Sequence, residues 1–168
     1  MYFLRSVVMC CLLSAMGIQT MAGSLPQPSG RVILTVEGAL SNTNGDGVAR
    51  FDREMLEDLS MHLTRTDTPW TEGVIAFEGP LGRRLLDYVG ARGQTLIVTA
   101  LNDYSTEVPL ADFYEYDVIL ALKMDGDYIR IRDKGPIFIV YPFADNPALH
   151  TEVIHNRSVW QLKSIRIK

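Results

Sequence analysis

Apolar and polar positions along this chain change their rhythm several times, and each change marks an element. Arg31–Val36 alternates with the two-residue period of a strand, whereas Ser41–Gly47 is polar and rich in Asn and Gly, as an exposed loop is. Asp52 stands where it can cap a short helix over Arg53–Leu59, and Met61–Thr66 reads as a second strand. Gly79-Pro80 is expected to open a helix in which Leu81, Leu85, Leu86 and Val89 share one face, with Gly90 stopping it. Thr95–Leu101 is an apolar, β-branched run long enough for a buried strand, Asp117–Met124 is another, and Pro136–Tyr141 is a third near-continuous apolar run. Asp125-Gly126 suits a tight hairpin joining the second of these to Tyr128–Ile131. The last strand alternates through Trp160 and Leu162, then Ile165 and Ile167, a one-residue slip that predicts a bulge. The fold class is therefore α+β, a mixed β-sheet with short helices, in a single domain over residues 31–168.

The N-terminus obeys a different logic. Arg5 is the one charged residue in Met1–Ala22, Ser6–Ile18 is an apolar run, and Thr20-Met21-Ala22 offers small residues at a cleavage site. This reads as a cleavable signal peptide, too short to span a bilayer at about 20 residues per crossing. Gly23–Gly30 is then a linker, and the expected product is a periplasmic protein with no direct membrane insertion. The chain's two cysteines, Cys10 and Cys11, both lie in the stretch expected to be removed. A formal net charge of −4 argues against a nucleic-acid partner.

Conventional catalysis finds little support. His62, His150 and His155 are scattered, without the spacing of a helix-borne zinc site, and no glycine-rich loop follows a strand to cradle a phosphate. Two polar segments carry more chemistry. The first, Thr64–Gly73, packs hydroxyls, a guanidinium, a carboxylate and the Trp70 indole beside a proline turn; its alternative reading is a well-bonded turn with Trp70 at a core edge. The second, Leu101–Thr106, lies where a buried strand ends, a usual place for ligand contacts, though an ordinary capped turn would look the same. Asp103 is its sharpest residue, because a carboxylate can take paired hydrogen bonds from the amino-pyrimidinone edge of a pterin. Trp70 or Tyr104 could stack on the flat ring.

At these residues the chain resembles the molybdopterin-binding domain of the sulfite-oxidase family. The pieces occur in order: Phe77-Glu78-Gly79-Pro80-Leu81 before Leu85-Leu86-Asp87; Asp103-Tyr104-Ser105 before Val108-Pro109-Leu110; Val118–Ala121 with Met124-Asp125-Gly126; Lys134-Gly135-Pro136 before Ile137–Tyr141; and Ser158-Val159-Trp160 before Ile165. The resemblance implies the sulfite-oxidase-like fold. It also implies that the segment near Thr64–Asp67 corresponds to the one that carries the molybdenum-ligating cysteine in the family's enzymes, and that Tyr104 matches a tyrosine beside the metal. Here that segment is Thr-Arg-Thr-Asp, so the resemblance points to a pocket more than to an activity.

A cysteine-less subgroup of small periplasmic proteins, the PruR type, resembles this chain in size, in its signal peptide and in the Thr-Pro-Trp stretch. What it implies is a non-catalytic regulator that binds a reduced pterin, without molybdenum, and acts on the periplasmic region of an inner-membrane partner that makes or degrades cyclic di-GMP. On that expectation Trp70 stacks and Asp103 meets the pyrimidine edge. Arg65, Thr66, Thr68 and Ser105 make polar contacts around the ring, beside the matched Tyr104, with Arg157 and Trp160 at the pocket-closing end. The alternatives are a molybdopterin-dependent oxidoreductase and a scaffold whose pocket is filled by side chains.

Overall fold

The computed structural model describes residues 23–168. The expected signal peptide lies outside them. In chain order the strands are β1 (Gly23–Ser24), β2 (Leu34–Gly38), β3 (Asn42–Thr43), β4 (Ala49–Phe51), β5 (Met61–Thr66), β6 (Ile75–Pro80), β7 (Thr95–Ala100), β8 (Ser105–Pro109), β9 (Ile119–Ala121), β10 (Lys123–Met124), β11 (Asp127–Tyr128), β12 (Phe138–Val140) and β13 (Leu162–Ile167). The α-helices are α1 (Arg53–Glu57), α2 (Gly82–Val89), α3 (Asp112–Glu115) and α4 (Glu152–Arg157). The class is α+β.

A five-stranded sheet runs in the order β4-β2-β13-β7-β8, with β2 and β13 parallel and the other pairs antiparallel. A four-stranded antiparallel sheet runs β11-β10-β6-β5. Between them lies the pair β9 and β12. Its residues are all buried because alternate side chains enter two different cores. Leu120 and Ile139 join the large core with Leu34, Val36, Val98 and Ile165. Ile119, Ala121, Phe138 and Val140 join a smaller one with Phe77, against which Trp70 and Trp160 pack. Burial on both faces is what the continuous apolar runs encode.

Local signals act where the sequence places them. Asp52 caps α1, its Oδ1 accepting from the Met55 N–H at 2.9 Å. Gly90 ends α2 in the left-handed region (φ 62°), and the β10–β11 hairpin turns on Asp125 and Gly126 at φ 50° and 87°. The register of β13 against β7 shifts between Leu162 and Ser164, so Lys163 is the bulged residue.

Several expectations are corrected. Gly79-Pro80 does not open a helix but ends β6, which the breaker pair disguises; α2 begins at Gly82. Asp117–Met124 is two strands, because the Leu122 N–H donates to Glu78 O and the chain changes partner there. Tyr128–Ile131 keeps strand form only at Tyr128, and Arg31–Ile33 precede the strand that starts at Leu34. Gly23–Gly30 is not a free linker. β1 pairs with β3, Leu25 is buried, and the Gly30 N–H donates to Asp52 Oδ2 at 2.7 Å.

Candidate functional site

A cavity of about 290 Å³ opens between the end of β5, the β7–β8 turn and the end of α4. Its aromatic walls are Trp70, Tyr104 and Trp160, and its polar lining residues are Asn102, His155, Asn156 and Ser158. Trp70 is delivered by the turn after β5. There Thr68 Oγ1 accepts from the Trp70 N–H at 3.3 Å and shares a hydrogen bond with Thr71 Oγ1 at 2.9 Å. The indole then meets Trp160 edge-on at 5.0 Å and 74°, with Phe138 and His155 each at 6.0 Å.

The opposite wall is equally local in origin. Asn102 Oδ1 accepts from the Tyr104 N–H at 3.1 Å, shaping the β7–β8 turn, and the Tyr104 hydroxyl donates to Asn156 O at 3.2 Å, tying that turn to α4. Thr151 caps α4 through the Ile154 N–H, and the Ser158 hydroxyl closes it by donating to Ile154 O at 3.0 Å. Ser158, Val159 and Trp160 continue along the cavity toward β13. His155 Nε2 is buried without a hydrogen-bond partner, and so is Thr64 Oγ1 on β5. A buried polar atom left so is costly unless a further group reaches it.

The structure thus brings Trp70, Tyr104 and Trp160 onto one cavity, and it places the other expected residues outside its lining. Asp103 adopts a left-handed backbone (φ 66°) and extends into solvent, where it pairs with Lys163; that hydrogen bond, then the lysine's charge, hold its carboxyl below the usual range. It does not line the cavity. Ser105 is exposed and bonds Thr99 Oγ1 at 3.2 Å across the β7–β8 pair. Arg65 is exposed because it alternates with the buried Thr64 and Thr66. Thr66 is fully buried and satisfied, donating to Asp67 O and accepting from the Ala144 N–H. Thr68 builds the Trp70 turn. Arg157 donates to Asp112 Oδ2 at 2.9 Å, an oxygen that also accepts from the Tyr141 hydroxyl at 2.7 Å. It is a structural cation.

Sequence reasoning missed His155, Asn156 and Ser158. Their signal was position: a polar helix end running directly into Trp160. Among the described residues no group of three His, Cys, Asp or Glu could hold a metal ion, and no helix is long and apolar enough to cross a membrane.

The chain is similar to a known family in sequence and to a solved structure in fold. The family model described as the oxidoreductase molybdopterin binding domain matches residues 52–144. No curated protein matches the chain in sequence. The crystal structure of the sulfane dehydrogenase SoxCD from Paracoccus pantotrophus superposes with a TM-score of 0.58 over 80% of this chain at 16% identity. The match covers 37% of that chain, and at this identity it speaks for the fold alone.

Proposed function

The chain belongs to the oxidoreductase molybdopterin-binding domain family and has its sulfite-oxidase-like fold, and from that premise we propose that it is a non-catalytic, periplasmic pterin-binding regulator of the PruR type. In this reading it takes a reduced pterin without molybdenum. It relays occupancy to the periplasmic region of an inner-membrane protein that metabolises cyclic di-GMP. The relay can be no stronger than the ligand's differential affinity for the two states it biases.

The observation that carries this reading is the lining of the 290 Å³ cavity, with two tryptophans and a tyrosine around polar groups and no Lys or Arg. Its volume sits at the low end of small-molecule pockets, which run from about 300 Å³ upward. A phosphorylated, metal-bearing cofactor calls for cations around its phosphate and a thiolate for its metal. The described residues contain no cysteine. The donor set therefore fits the flat bicycle and not the whole cofactor.

Trp70 is assigned to a ring face and Trp160, which meets Trp70 edge-on at 5.0 Å and 74°, to the ring's edge. The pyrimidinone edge passes from Asp103, which is spent on Lys163, to the Asn156 amide and His155. The amide can donate and accept side by side. Titration with tetrahydropterin, followed by tryptophan fluorescence, should give saturable quenching. A folded protein that shows none leaves the scaffold reading in its place.

Family membership favours a second reading, a molybdopterin-dependent oxidoreductase held by pterin contacts alone. Metal analysis of the protein purified from its native host decides between them. Stoichiometric molybdenum would establish the enzyme and remove the regulator.

A further inference from the structure

The turn that gives Asn102 and Tyr104 to the cavity gives Leu101 to a second concavity, an open groove of about 1460 Å³. The groove runs between the segment before β2, the start of α1 and the chain after β11, and the bulged Lys163 stands at its edge. Four of the large apolar residues that the described chain leaves exposed lie along it: Val32, Leu101, Tyr128 and Ile131, between 39% and 47% exposed. Apolar side chains gathered in one exposed groove mark an interaction surface more often than scattered ones do.

Its charge is opposite to that of the molecule. Five lining residues are cationic and three acidic, in a chain of formal charge −4. The acids are already engaged. Asp52 caps α1, Glu57 accepts from the Tyr128 hydroxyl at 2.7 Å, and Glu54 lies 3.4 Å from the Ser29 hydroxyl. The cations are less so. Arg31 makes no ion pair or side-chain hydrogen bond among the described residues, and Arg132 has only a 3.7 Å contact with Asp133, whose same oxygen Arg130 holds at 2.6 Å. Arg53 lies 4.2 Å above the Tyr128 ring. The backbone adds a third element. β13 begins at Leu162 and pairs with β2 from Thr35 onward, so Arg31–Ile33 extend past the end of their parallel neighbour. Val32 makes no backbone hydrogen bond among the described residues. The Ile33 N–H is taken by Phe51 O at 2.8 Å, so the unpaired backbone groups are those just before β2, and an unpaired edge of this kind accepts an added strand.

We propose that the groove docks an acidic, apolar-bearing segment of a partner protein, laid in extended form beside Arg31–Ile33. Its carboxylates meet Arg31 and Arg132, and its alternate side chains cover Val32, Leu101 and Ile131. The need for a partner rests on the relay reading above, whereas the location rests on the groove alone.

The test is selection of a phage-displayed random twelve-residue library on the full chain and on the double variant Arg31→Glu/Arg132→Glu. Thermal melts check folding, and Arg92→Glu serves as a charge-reversal control outside the groove. Enriched peptides should alternate Asp or Glu with aliphatic residues. They should bind the double variant at least tenfold more weakly than wild type and bind Arg92→Glu as wild type does. Enrichment without acidic bias, no enrichment, or equal binding to the double variant would overturn the proposal. So would sedimentation showing that these arginines instead hold two copies together, or uptake by phosphatidylglycerol vesicles with no peptide binding. Tetrahydropterin quenching, measured on the same samples, reports the cavity separately: its loss in wild type sinks the regulator reading and leaves the groove standing.

Discussion

The two carboxylate oxygens of Asp52 are divided between the first turn of α1 and the Gly30 N–H, so one side chain fixes a helix start and the segment leading to β2. The Met55 N–H, foremost, holds its carboxyl below the ordinary value against the opposing effect of burial, with Gly30 and Ser29 helping. Asp52→Ala should cost about 1 kcal/mol at neutral pH, as lost N-caps do. A depressed folded-state value means that the stabilisation is complete above the unfolded value of about 3.9 and is lost as pH falls through the folded one. Urea unfolding should therefore show the gap between wild type and variant closing below about pH 4; a gap unchanged at pH 2 would refute the assignment. At the cavity, Trp70→Ala should weaken tetrahydropterin binding by about 1–3 kcal/mol, the scale of a base stacked on an aromatic. Asp103→Asn should leave that affinity unchanged, because the carboxylate faces Lys163. Titration of both variants separates a solvent-facing Asp103 from one that grips the ring.

Among the elements, β6 and β9 approach most closely at Gly79, where an added Cβ would lie 1.9 Å from Leu120 O and 2.8 Å from Ala121 Cα. Both neighbours are backbone and cannot turn away. Gly79→Ala should lower stability by about 3 kcal/mol or more, at or above the upper end of overpacking costs, read by denaturant midpoint at constant slope. A variant as stable as wild type would mean that the two strands are more loosely joined than they look. The same site marks the limit of what the sequence discloses. β5 was legible to the residue and β7 to within one, because apolar and β-branched content announced them; Gly79-Pro80 hid the end of β6. β8 was invisible as a strand because only Val108 of its five residues is buried, leaving no alternation to see. Trp70, Tyr104 and Trp160, which line the cavity, stood out as candidates because large aromatics beside polar turns are conspicuous. That Asp103 would stand outside the cavity, paired with Lys163 on a left-handed backbone of φ 66°, was not legible, because no periodicity records a single backbone angle. Asn156 was overlooked because its role comes from a distant contact, the Tyr104–Asn156 hydrogen bond spanning 52 residues, and His155 was set aside as a scattered histidine because its contact with Trp70 forms only in the fold.

Across the molecule, Arg157, Asp112 and Tyr141 join α4, α3 and the chain after β12 through one carboxylate oxygen. Burial, then the Asp112 carboxylate, pushes the Tyr141 phenol well above its ordinary value, so it remains a donor at any physiological pH. Removing the guanidinium leaves a largely buried carboxylate with one neutral partner. Arg157→Leu should cost about 3 kcal/mol, near the lower bound for a broken buried pair. Calorimetric or urea unfolding would measure it, and a loss under 0.5 kcal/mol, roughly the scale of an exposed pair, would show that solvent already screens the charge.

The turn from Ala100 to Ser105 belongs at once to the aromatic cavity and to the basic groove, through Asn102 and Tyr104 on one side and Leu101 on the other. If a ring entering the cavity shifts that turn and thereby alters how tightly the groove holds its segment, thermodynamic reciprocity fixes the reverse effect at the same factor. A bound partner would then set how much pterin the protein retains at a given concentration. The ligand's measured affinity would be a property of the assembly, and the isolated chain would report only one of its two values.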